Sequence, residues 1–268
     1  MNILLEYLQY PFFVRALVVG VGIGMLLAWI GNYVVMRREV LFTHSLSNVG
    51  FLGIAFAVLV SVPTTPALLV ACILAAIFIS FLQKKNLFNN DSLLEIIAQI
   101  SMALAVIVIS FFSGYQINIE QFLFGDVLAI SRGDVVVSLI MFVLIVVVLS
   151  VWHKRFLRIS LSDLLSHSLV KNKKLWNGIL VLMITVVIAL GIKIIGVLLV
   201  ASFMTIPSNT AKLVAKNLKQ TFIYSLFLGG VATLIGLFGS VVLNVPTGPA
   251  IIVVLGIMWV LAIIVRRR

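Results

Sequence analysis

Long apolar runs, separated by short polar or basic pieces, make up almost the whole of this chain. Within each run the apolar residues are continuous and do not alternate with polar ones, as expected of helices bathed in lipid and not of barrel strands. A helix needs about 20 apolar residues to cross roughly 30 Å of hydrocarbon. Nine runs approach that length, at approximately 12–35, 45–61, 66–83, 92–112, 135–151, 176–192, 194–210, 220–243 and 249–265. Pro and Gly in VPTTP at 62–66 and in NVPTGPA at 244–250 end one helix and start the next. The connection GIKIIG between the sixth and seventh runs is short and still apolar. A tight hairpin is its simplest reading, whereas one kinked span would move every later loop to the other side. SGYQINIEQFLFGDVLAISRGD, residues 113–134, is too long for a turn and reads as a surface or re-entrant piece.

Composition agrees with this pattern. The chain is 63% apolar and 10% charged, with a mean hydropathy of +1.27, far too little polar surface for a water-soluble domain of this size. The expectation is an all-α, polytopic membrane protein, a single transmembrane domain over residues 1–268 with about nine helices. Its net charge of +11 would suggest nucleic acid in a soluble chain, but the cations sit between the apolar runs, so a nucleic-acid partner is not expected. Every Lys and Arg except Arg15, Arg132 and Lys193 falls in Arg37–Arg38, Lys84–Lys85, 152–174, 212–219 or 266–268. Nine crossings place those five segments on one side. The positive-inside bias makes that side the cytoplasm, with the N-terminus outside, the C-terminus cytoplasmic and lipid around the bundle. The first run lacks a small-residue cleavage pattern and reads as a retained span.

Chemistry is sparse. No Gly-x4-Gly-Lys-Ser/Thr loop is present, and Gly20, Gly22 and Gly24 lie within a span, where Gly20 and Gly24 suit close helix packing. Any energy source therefore comes from a partner or from an ion gradient, and an enzyme is not expected. His44, His153 and His167 are too scattered for a sequence-local zinc site, and the single Cys72 reads as a buried core residue. Asp91, Glu95 and Gln99 share one face at the start of the fourth run. They either line a vestibule or serve the helix start, where Asp91 suits the dipole. The segment 152–174 reads as a long loop in which Ser162 caps an amphipathic helix carrying Leu161, Leu164, Leu165 and Leu169. His44 and Asn48 stand four apart on one face of the second span, whose Ser47, Gly50, Ile54 and Ala57 make a small-residue packing face.

Several stretches, taken in order, resemble the membrane subunits of the zinc, manganese and iron ABC importers. They are YPFFVRALVVGVGIG at the start, EQFLFGDVLAIS at 120–131, IIGVLLVASFMTIPSNTAKLV at 194–214 and VPTGPAIIVVL at 245–255. The likeness runs from about residue 8 to 265 without large insertions. It implies the compact fold of the second (type II) importer class, a dimer with itself or with a second permease, a cytoplasmic ABC ATPase dimer and an external metal-binding protein. The chain itself would carry no cofactor. ATP would sit on the ATPase, and a divalent transition metal would be the cargo. The ATPase-docking segment would fall on Leu161, Ser162, Asp163, Leu164, Leu165, Ser166 and His167. Asp163 fits the family's acidic position there, Ser166 replaces its alanine, and its glycine is absent near Leu169 and Val170.

The resemblance also marks FTHSLSNVGFLG, residues 42–53, as the metal-handling position and as its largest departure from pattern. His44 stands where the family has aspartate, Asn48 where it has histidine, and Leu52 where it has proline before Gly53. Imidazole suits transition metals, whereas an amide oxygen is a weak ligand for them. Three readings stay open: a transient site with Asn48 as secondary ligand, half of a heterodimer whose partner supplies stronger ligands, or a structural pair. For the whole chain the expected function is the permease of an ABC importer for zinc, manganese or iron. The alternatives are a permease of the same fold for a chelated metal or another small solute, and a gradient-driven secondary transporter. The last would show inverted repeats and paired intramembrane acids, and neither is evident.

Overall fold

The computed structural model describes residues 10–84, 89–111, 124–125, 132–161 and 172–266. Among them nine helices are long and apolar enough to cross a membrane. They are α1 (Pro11–Met36), α2 (Val40–Leu59), α3 (Thr64–Lys84), α4 (Asn90–Ser110), α5 (Arg132–Leu161), α6 (Lys173–Ile195), α7 (Val197–Val214), α8 (Leu218–Leu243) and α9 (Thr247–Arg266).

Cross-helix contacts fix the alternation of these helices. At one end Arg37, just past α1, bonds Asn177 of α6. Tyr33 of α1 bonds His153 of α5 and packs on Phe222 of α8 at that same end. At the other end Lys193 of α6 bonds Thr65 of α3. The first end gathers Arg37, Arg38, Lys173, Lys174 and the Lys212–Lys219 stretch, and is called the basic end below. Because α8 starts beside Tyr33, α7 has to return to the basic end, so α6 and α7 form a hairpin. The break is Gly196, at φ 95 and ψ 161, a conformation that any side chain would strain. The two arms touch where a Cβ on Gly191 would come within 3.0 Å of Val200 Cγ2. The hairpin reading therefore stands, and the kinked span does not.

Helices α1 and α7 occupy the centre. Helix α1 packs on α5, α6, α7 and α8, and α7 on α1, α2, α6, α8 and α9. Without a hydrophobic force between helices in lipid, close approach at small residues supplies the attraction. A Cβ on Gly31 would lie 2.7 Å from Met204 Cα, and one on Gly229 would lie 2.7 Å from the Gly24 carbonyl oxygen. Gly22 is not part of this contact, since a Cβ there would meet only the Phe142 ring, at 3.8 Å. Gly24 and Gly31 of α1 thus both pack closely on neighbouring helices.

One element departs from the sequence reading. The expected loop beginning at Trp152 is helical to Leu161, continuing α5. The stretch WHKRFLRISL contains neither Gly nor Pro, so nothing in it stops the helix. Its apolar side also has partners: Phe156 is fully buried, and Trp152 and Phe156 lie 5.5 and 6.0 Å from the Trp176 ring. At the end opposite the basic one, Gly125 sits at φ 72 against the Ile195–Gly196 backbone, and Gly248 of α9 meets the Phe124 and Ile195 carbonyl oxygens. The Phe-Gly of EQFLFGDVLAIS is thereby accounted for. The remainder of 113–131, including Asp126, lies outside the described residues.

Candidate functional site

Helix α2 is the most buried of the nine spans, and its neighbours divide its circumference. Gly53 rests on Ala71 of α3, and Gly50 lies between Leu68 and Cys72 of α3 and Ile192 of α6. Ser45 donates to the Leu94 carbonyl of α4 at 2.5 Å. At 100° per residue, His44, Asn48, Phe51 and Ala55 then share the face turned away from α3. That face is left to α4 and to α7, which also packs on α2. Ser47, Gly50, Ile54 and Ala57 are all buried, so the small-residue packing face is present, and Cys72 is buried and free.

His44 is half-buried and Asn48 buried. Asn48 Nδ2 lies 3.5 Å from His44 Nε2. When the ring carries its proton on Nδ1, the amide donates to Nε2 across that distance. The contact sits at the limit of hydrogen-bond range, so the Nε2 lone pair is only loosely engaged. Turning the amide about its last bond would present Oδ1 to the same point. Among the described residues no cluster of three or more His, Cys, Asp and Glu could hold a metal. The pair thus offers one imidazole nitrogen and one side-chain amide on the same face of α2.

Sequence reasoning missed a polar row on α7, a helix that packs on α2. On α7, Ser202, Thr205, Asn209 and Lys212 share one face, half or fully exposed, while Phe203, Met204, Pro207, Ser208 and Ala211 are buried on the other side. Their spacing of three, four and three was the available signal within VLLVASFMTIPSNTAKLV. Such a row is costly against lipid and belongs on a protein-lined or watered surface. The acidic stripe of α4 is simpler: Asp91 lies in the first turn, and Gln99 donates to Glu95 at 2.7 Å on an exposed face.

Of the expected ATPase-docking residues, Leu161 ends α5 and is exposed. Ser162, Asp163, Leu164, Leu165, Ser166 and His167 lie outside the described residues. The grip on α5 just before them is well defined. Tyr33 Oη is 2.6 Å from His153 Nδ1, the His153 ring stands edge-on to Phe222, and the Arg155 guanidinium lies 4.7 Å above Trp176. The fold alone supplies the partner of His153 on α1.

Among the described residues, a closely packed bundle of nine membrane-length helices is the architecture of a polytopic membrane protein. The chain belongs to the ABC 3 transport family, which it matches over residues 9–266. It is 26% identical over 255 residues to the manganese transport system membrane protein MntC of Listeria monocytogenes, covering 95% of this chain and 91% of that protein. It is also 26% identical over 253 residues to the high-affinity zinc uptake system membrane protein ZnuB of Haemophilus influenzae, covering 94% and 97%. Among solved structures, PsaBC from Streptococcus pneumoniae in complex with Fab shares the fold at a TM-score of 0.86 and 22% identity, over 97% of this chain and 95% of that one. Family membership sets the gradient-driven alternative aside.

Proposed function

We infer that this chain is the permease subunit of an ABC importer for a divalent transition metal. Zinc, manganese and iron are the candidate cargoes. The observation that carries this reading is the His44–Asn48 pair, placed on the most buried helix. The manganese and zinc systems in which its relatives are named support the cargo class.

A single chain offers too few donors for a stable site, and weak binding suits a permease that has to release what it carries. Zinc takes about four ligands, so a second permease subunit, either another copy or a distinct partner, would complete the coordination across a shared axis. ATP would be bound and hydrolysed by cytoplasmic ATPase subunits docking at 161–167, and an external binding protein would deliver the metal. The basic end would face the cytoplasm, as the positive-inside bias favours. The chain itself would do no covalent chemistry.

The test is ATP-driven uptake of radioactive zinc and manganese into vesicles holding the permease with its ATPase. His44→Ala is expected to lower uptake by about 10-fold or more, the scale on which metal sites respond to altered ligation, with membrane insertion unchanged. Uptake unaffected by His44→Ala would remove the metal-handling role of this pair.

A further inference from the structure

An apolar groove of 590 Å³ runs between α3 and α6, lined by Ile73, Ile77, Phe81, Gly178, Val181 and Leu182. It extends from Lys174 up to Thr185, eleven residues of helix or about 16 Å. That matches half of the roughly 30 Å hydrocarbon core, the depth of one leaflet. At its basic end the groove meets a second cavity of 530 Å³ formed by Arg37, Arg38, Glu39, Lys173, Lys174 and Asn177. Lys174 and Asn177 line both cavities.

Among the described residues the second cavity brings Arg37, Arg38, Lys173 and Lys174 around Glu39. Arg37 is already engaged: it holds both oxygens of Glu39, at 2.8 and 2.7 Å, and donates to Asn177 Oδ1 at 2.6 Å. Asn177 consequently keeps its amide nitrogen for donation. Arg38 and Lys174 are exposed. Arg38 also holds the left-handed position that closes α1, at φ 59, where glycine is the unstrained choice. Orienting the loops requires only that cations lie on one side. It does not require that the end of α1 and the start of α6 converge them at the mouth of a leaflet-deep apolar groove.

We propose that this composite cavity binds an anionic phospholipid of the leaflet at the basic end. One acyl chain lies in the α3–α6 groove, and the phosphate is held by Arg38, Lys174 and the Asn177 amide. Basic pockets between transmembrane helices suit such headgroups, and the groove confers selectivity for an amphiphile over a free anion.

Native mass spectrometry of the purified chain tests this, with phosphatidylglycerol and phosphatidylcholine of identical chains offered at equal concentration. Retention of phosphatidylglycerol is expected to exceed that of phosphatidylcholine by about 10-fold or more. Arg38→Gln with Lys174→Gln removes the preference while both lipids still bind. Gly178→Phe fills the groove and removes retention of both. A Cβ at Gly178 meets no atom within 4 Å, so the variant keeps its fold, checked by circular dichroism. Equal retention of the two lipids by the unaltered chain, or unchanged retention in Gly178→Phe, overturns the proposal. So does displacement by millimolar inorganic phosphate, which marks a free-anion site, or a change of oligomeric mass in Gly178→Phe without lipid loss, which marks a protein seat.

Discussion

At the scale of single residues, the proposed metal-handling role rests on the pair on α2. A carboxylate would bring a full negative charge to a metal, whereas Asn48 brings only an amide dipole, and its contact with His44 is no shorter than 3.5 Å. The replacement Asn48→His is therefore expected to tighten metal binding about 10-fold, or ~1.4 kcal/mol, measured by calorimetry on purified protein. Weaker binding in that variant would instead assign the pair a structural task. The pair was legible in the sequence because ligand spacing is local: four residues apart means one helical face. Tyr33 and His153 were not legible as partners, since 120 residues separate them and neither carries a local signal of the other.

At the scale of elements, helix number and turn positions followed from apolar runs punctuated by Pro, Gly and charge, since a span is a one-dimensional property of the chain. Helix ends that depend on tertiary contacts did not follow. The run 135–151 ended where charges began, yet α5 continues to Leu161 because Trp152 and Phe156 find aromatic partners beyond that point. Glycine roles divide in the same way. A G-x-x-x-G register singles out Gly20 with Gly24, whereas Gly31, which has no such register signal, is found against the Met204 backbone. Gly31→Ala is expected to destabilise by about 1–3 kcal/mol, since its Cβ would overlap the Met204 backbone. Gly22→Ala, with ordinary contact to Phe142 only, is expected to leave the melting temperature in detergent within a degree or two of the parent protein. Equal effects from both would contradict the α1–α7 contact.

At the scale of the whole molecule, the charges and the contacts agree on which loops share an end, and orientation becomes a single binary question. With Cys72→Ala as background, Val62→Cys is expected to react with an impermeant maleimide in intact cells, and Lys216→Cys only after permeabilisation. The reverse result would invert the bundle. Helix α5 bears on how such a bundle moves. Among its described residues, Leu149, Phe156, Ile159 and Ser160 are buried in the basic-end half and Ile145 near the middle, while Val136, Leu139, Ile140, Val143 and Leu144 are exposed. It is therefore a lever held near one end, with the Tyr33–His153 bond close to its fulcrum. A tilt of about 5° there sweeps Arg132, roughly 30 Å away along the rod, through about 3 Å. A displacement too small to disturb the aromatic grip would thus register as a van der Waals-sized step on the far face of the membrane.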